Sequence, residues 1–196
     1  GMALDPNLNY NRELANVYGE QGNIEMLFTN YIAYIEFRPE FLNSAKREFS
    51  DFISENKDNE NNLLLRRLLL KKIQIQPDTY WYEMLSWLFI QEKAYDRAFT
   101  QEKALYMRQR ESLNRIIELA LTALSDRESD LATEIFNYVL ENTQNIATIL
   151  TANQYLLDIE TTDASPKDLP KIEDKYNQIF STYGLSEQTL GLQIAY

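Results

Sequence analysis

The sequence predicts an all-α protein of about ten to eleven helices, and three observations carry that prediction. Five glycines and five prolines are spread over 196 residues, so few positions break or sharply turn the backbone. Apolar residues recur at intervals of three and four, which lines one face of a 3.6-residue helix. The stripes also arrive in pairs, and the pairs repeat.

Leu14, Val17 and Tyr18 mark the first stripe, and Met26, Leu27, Tyr31, Tyr34 and Ile35 the second. Between them lies Gly19-Glu20-Gln21-Gly22-Asn23, a helical hairpin with Gly22 at its turn. A polar stretch from Glu55 to Asn62 reads as a long inter-helix turn. Asp78 is placed to cap the next helix, through Trp81, Leu85, Leu88 and Phe89. Ala94-Tyr95-Asp96 opens its partner, through Ala98, Phe99 and Leu105. Further stripes run Leu113 to Leu124, Leu131 to Val139 and Ile149 to Ile159. Glu160 to Pro170 is the clearest loop, followed by a helix through Ile172, Tyr176, Ile179 and Phe180 that stops near Gly184. Leu190 to Tyr196 begins one more.

Register comparison gives the period. Leu85 to Leu119 and Ala98 to Ala132 both span 34 residues, Phe52 to Leu85 spans 33, and Leu14 to Phe52 spans 38. Leu14-Ala15, Tyr18, Gly22, Leu27, Tyr31, Tyr34 and Pro39 therefore resemble a tetratricopeptide repeat, whose period is about 34 residues. The departures are Asn11 in place of the first Trp and the large Leu27 where helix B holds a small residue. Tyr82, Leu85-Ser86, Phe89, Ala98 and Leu105 resemble another copy, with Glu102 where an aromatic belongs, and Leu119-Ala120, Ala123, Ala132, Phe136 and Val139 a third. The resemblance covers nearly the whole chain as one domain, with repeats near 8–41, 46–79, 79–112, 113–146 and 147–184 and a partial helix to 196. Ala3-Leu4-Asp5-Pro6 resembles the tail of a preceding repeat, as though the chain were cut from a longer array. The resemblance implies a right-handed α-solenoid of antiparallel hairpins whose concave face binds a protein or peptide.

Composition narrows the function classes. A net charge of −11 disfavours phosphate backbones and anionic lipid, and no apolar run is long enough to span a membrane. Arg66-Arg67 with Lys71-Lys72, and Arg108 with Arg110, read as solvated helix faces. With no Cys and no His, the usual nucleophile, general base and zinc ligands are absent, so no cofactor, no metal and no enzyme activity are expected. A helical hydrolase would need converging carboxylates. Asp126, Glu128 and Asp130 read instead as helix-start acids, and Glu160 with Asp163 as solvated loop.

On the helix after Asp78, the spacings of Tyr80, Met84, Trp87 and Gln91 put them on one face, outside the core stripe, as a candidate concave binding surface. Arg12 and Asn16 resemble the start of the carboxylate clamp with which some tetratricopeptide domains hold an acidic C-terminal tail. The rest of the clamp is replaced by Asp51, Tyr80 and Met84. The expectation is a non-catalytic interaction scaffold. The alternative is a structural helical domain that organises a larger polypeptide or a homo-oligomer without a peptide ligand, and the sequence names no compartment.

Overall fold

Helix α1 (Asn11–Glu20) and helix α2 (Ile24–Phe37) form a tight hairpin, and what closes it recurs along the chain. Gly22 has φ of 72°, the Gly22 N–H donates to the Gly19 carbonyl, and the Asn23 N–H donates to that of Tyr18. This pair of bonds satisfies the last carbonyls of α1 and reverses the chain. Helix α5 (Thr79–Gln91) ends the same way before α6 (Tyr95–Gln109): Lys93 has φ of 56°, and the Lys93 and Ala94 N–H groups donate to Ile90 and Phe89. Helix α7 (Asn114–Ser125) repeats it before α8 (Ser129–Asn142), with Arg127 at φ of 68° and bonds from Arg127 and Glu128 to Leu124 and Ala123. Only the first of these left-handed positions is a glycine.

A side chain at positive φ costs about 1–2 kcal/mol, partly offset by the lower backbone entropy of a non-glycine residue in the unfolded chain. Lys93→Gly and Arg127→Gly are each expected to raise unfolding stability by about 0.5–1 kcal/mol, and Gly22→Ala to lower it by about 1 kcal/mol. Urea titrations check this; equal midpoints for all three variants would sink it. No atom lies within 4 Å of a Cβ built on Gly22, so the loss there is purely conformational.

The computed structural model describes residues 9–110, 112–162, 164–184 and 189, and their regular structure is helical throughout: ten α-helices and one short 3-10 turn. The chain divides into two compact units, one ending at Gln109 and the other starting at Arg110. In the first, α3 (Leu42–Ser50) packs on α2 and α5, and α4 (Glu60–Ile75) packs on the same two helices. Phe28, Tyr31 and Phe49 meet edge to face, with ring centroids 4.7 and 5.6 Å apart, and Leu65, Leu69, Trp81, Leu85 and Leu88 extend that core. In the second, α9 (Ile146–Thr162) packs on α8, where Tyr155 stacks on Phe136 at 5.2 Å, and α10 (Leu169–Tyr183) closes over Leu150 and Leu157 with Ile172, Tyr176 and Ile179.

Leu27 fits against α1 because of Gly19. A Cβ on Gly19 would lie 2.7 Å from Leu27 Cδ1, so the missing side chain of one helix makes room for the oversized residue of the other. The corresponding positions in the next hairpins, by the same eight-residue offset, are Ile90 with Ala98 and Leu124 with Ala132. There the large residue stands on the first helix and the fully buried alanine on the second.

Several expectations are corrected. Leu14 and Val17 are exposed, and only Ala15 of α1 is buried, because α1 has its main packing partner on one side. The turn proposed over Glu55–Asn62 ends earlier, since α4 begins at Glu60. Asn59 Oδ1 accepts the Asn61 and Asn62 N–H groups and caps the helix. Buried Asn62 then holds the preceding loop, donating to the Ser54 and Asn56 carbonyls and accepting from the Ser54 N–H. The loop proposed over Glu160–Pro170 is likewise trimmed from both ends by α9 and α10. Asp78 occupies the N-cap position of α5, but its carboxylate accepts from Gln76 and the Tyr80 hydroxyl, with no side-chain capping bond. Asp163 and the segments Ala3–Pro6 and Leu190–Tyr196 lie outside the described residues.

Candidate functional site

The face proposed on α5 is not an open surface. Met84 is fully buried, and Tyr80, Trp87 and Gln91 are each half-buried. The cause is the position of α5, which has α3, α4 and α6 against it and buries Trp81, Met84, Leu85, Ser86, Leu88 and Phe89 around much of its circumference. Met84 is therefore core. The Tyr80 hydroxyl donates to Asp78 Oδ2 at 2.7 Å and its ring meets Trp81 edge to face. Burial, then the bond to the Asp78 carboxylate, raise its phenol above the ordinary tyrosine value. Glu83, on the same flank, pairs with Lys46 of α3 at 2.6 Å.

Arg12 and Asn16 are exposed on α1, but both attend the hydroxyl of buried Tyr31. That hydroxyl donates to Asn16 Oδ1 at 2.9 Å. Burial and then Glu48 raise the Tyr31 phenol, while Arg12 opposes them. Asn16 is thus engaged within the hairpin.

The basic clusters are also structural. Arg66 is mostly buried, with Nη2 at 2.7 Å from both carboxylate oxygens of Glu92, whose side chain is wholly buried, and it also donates to the Lys57 carbonyl. Lys72 pairs with Glu36 of α2 at 2.6 Å, and Arg67 lies 3.6 Å from Glu25 on the surface. Arg108 bonds the Tyr82 hydroxyl at 2.8 Å with its guanidinium over that ring. Arg66 ties α4 to the end of α5 and Lys72 ties it to α2, so reading these two as solvated misplaces them, whereas Lys71 and Arg67 are exposed.

Glu102, standing where the repeat pattern has an aromatic, is buried and accepts the Ser86 hydroxyl at 2.5 Å. The small position on α5 carries a hydroxyl where the partner helix carries an acid. Burial raises the Asp158 carboxyl, and burial and then the Asp158 charge raise the Tyr176 phenol.

A concave surface lies in the second unit, where α8, α9 and α10 enclose a groove of about 430 Å³. That volume falls within the range of small-ligand and peptide-side-chain sites, about 300–1,000 Å³. Leu140, Leu156 and Ile179 supply apolar lining, and Asn137, Asn153 and Gln178 supply amides. The Asn153 amide donates to the Ile149 carbonyl of its own helix. Inside the groove Lys175 Nζ lies 2.7 Å from Glu160 Oε2, so Glu160 is one half of an ion pair. The sequence reading missed this groove because its residues come from three helices spread over fifty positions. Asn137 and Asn153, polar among apolar neighbours, were the available signal.

No helix among the described residues is long and apolar enough to cross a membrane. No known family model matches this chain, and no curated protein does.

Proposed function

We propose that this protein is a non-catalytic scaffold of tetratricopeptide-like hairpins, with the right-handed winding that the resemblance implies, and that it binds a segment of a protein partner. The groove between α8, α9 and α10 carries the reading: it offers apolar lining and amide groups together, the combination that holds a peptide by side chain and backbone at once. The recurrent turn at Gly22, Lys93 and Arg127 supports the repeat character. Trp87 and Tyr80 of α5 are half-buried and stand outside this groove.

Panning a displayed random-peptide library against the full chain tests this. Peptides are expected to enrich, to lose binding to Asn137→Trp, which fills the groove, and to keep binding to Trp87→Ala. Enriched peptides indifferent to Asn137→Trp would remove the groove from the proposal, and no enrichment would remove the scaffold reading.

A second reading has one observation in its favour. Tyr10, Leu14 and Val17, spaced four and three apart, form an exposed apolar stripe along α1. On that reading the stripe packs against a second copy, and sedimentation equilibrium would show a dimer that Leu14→Glu converts to monomer.

A further inference from the structure

The charge of this chain is unevenly distributed. Residues 1–109 hold 16 acids against 13 bases, a net of −3, whereas residues 110–196 hold 14 against 6, a net of −8. The groove belongs to the second unit, and its edges differ in how their charges are matched. On α10, Lys175 pairs with Glu160. On α8, Glu134 and Glu141 flank Asn137 at spacings of three and four, which places all three on one helical face, and all three are exposed. Neither glutamate has an ion-pair partner among the described residues. The groove thus has an apolar floor and amides in its lining, and α8 carries unmatched negative charge on its exposed face beside the lining residue Asn137.

We infer that the occupant of this groove is a basic segment of a partner protein, with Leu-like side chains seated against Leu140, Leu156 and Ile179 and Lys or Arg side chains reaching Glu134 and Glu141. This rests on the scaffold reading above and adds the chemistry of the partner to it. The argument is charge complementarity. Uncompensated carboxylates beside an apolar groove attract a cationic segment over roughly a Debye length, about 8–10 Å at ordinary salt, and repel an acidic one. The rest of the acidic unit acts in the same direction.

The test uses a labelled synthetic peptide of about twelve residues, mixing Leu, Ser and Lys, with counterparts in which every Lys is Gln or Glu, titrated against the full chain by fluorescence anisotropy. The Lys peptide is expected to bind at least about tenfold more tightly than the Gln peptide, the Glu peptide not measurably, and affinity should fall between roughly 50 and 300 mM salt. Glu134→Lys/Glu141→Lys is expected to weaken the Lys peptide at least about tenfold with unchanged melting. The same charge change at acids that do not flank Asn137, Glu118→Lys/Glu128→Lys, should weaken it far less. Equal loss in both double variants would mean diffuse attraction to an acidic protein and would overturn the site. Gln and Lys peptides bound equally, and both lost on Asn137→Trp, would overturn the basic partner while leaving the scaffold reading intact. No peptide bound at all would overturn both.

Discussion

Replacing Arg66 with alanine is expected to cost about 3–5 kcal/mol of folding stability, whereas the same change at its neighbour Arg67 should cost less than about 0.5 kcal/mol. The two residues are adjacent and chemically identical, and their surroundings make the difference. Among the described residues Arg66 is the only cation on the Glu92 carboxylate, which is wholly excluded from solvent at the C-terminal end of α5. Without it a carboxylate is left desolvated and uncompensated in a core formed by Phe89 and its neighbours, the situation in which a broken buried pair is most damaging. Arg67 and Glu25 are 3.6 Å apart and both mostly exposed, so water and side-chain entropy cancel most of their attraction. Replacing both partners, as in Arg66→Met/Glu92→Leu, should recover most of the loss, because the desolvation cost leaves with the charges. Urea unfolding with unchanged slope checks all four proteins. Similar losses for Arg66→Ala and Arg67→Ala would show that the Glu92 carboxylate is solvated after all.

The second expectation concerns the exchange of large and small residues between paired helices. Gly19→Ile should overpack the first hairpin and destabilise it by about 1–3 kcal/mol or more, since Leu27 Cδ1 already stands 2.7 Å from where a Cβ would be. Leu27→Ala alone should cost about 2–5 kcal/mol by leaving a cavity. Together they recreate the arrangement of Ile90 with Ala98, and a double-mutant cycle is expected to give a favourable coupling of about 1–3 kcal/mol. Additive losses would show that the two positions do not share one volume. The same logic makes the buried alanines of the later hairpins intolerant: Ala98→Trp and Ala132→Trp place an indole where no space exists.

The helical content was legible because its signal is local. Spacing of three and four identifies a helix wherever one face is buried, and hairpin turns announce themselves by polar residues between two such stripes. Gly22 gave away the first turn by residue type. Lys93 and Arg127 did not, since they adopt the same left-handed conformation against their preference, and the hydrogen bonds that hold them there appear only in the folded chain. Asn59, Asn61 and Asn62 look like loop residues by composition, yet one caps α4 and the other two tie down the loop before it.

The candidate site was less legible, because a face is defined by how many neighbours a helix has. Met84 satisfies the spacing of an outward residue and is nevertheless core, since α5 is packed from several sides. Leu14 and Val17 satisfy the spacing of an inward stripe and are exposed, since α1 is packed mainly from one. Periodicity reports that a helix has a preferred side and is silent on how many partners reach it.

What the amino-acid sequence determined by itself is therefore the helical class, the pairing of neighbouring helices and the acidity of the second half, all of which depend on residues close together in the chain or simply on their number. The tertiary structure alone decided which charges are consumed in ion pairs, which large residue borrows space from which small one, and where a groove stays open. Those outcomes require residues distant in sequence to meet, and the energies that select among them, desolvation and close packing, exist only once they do.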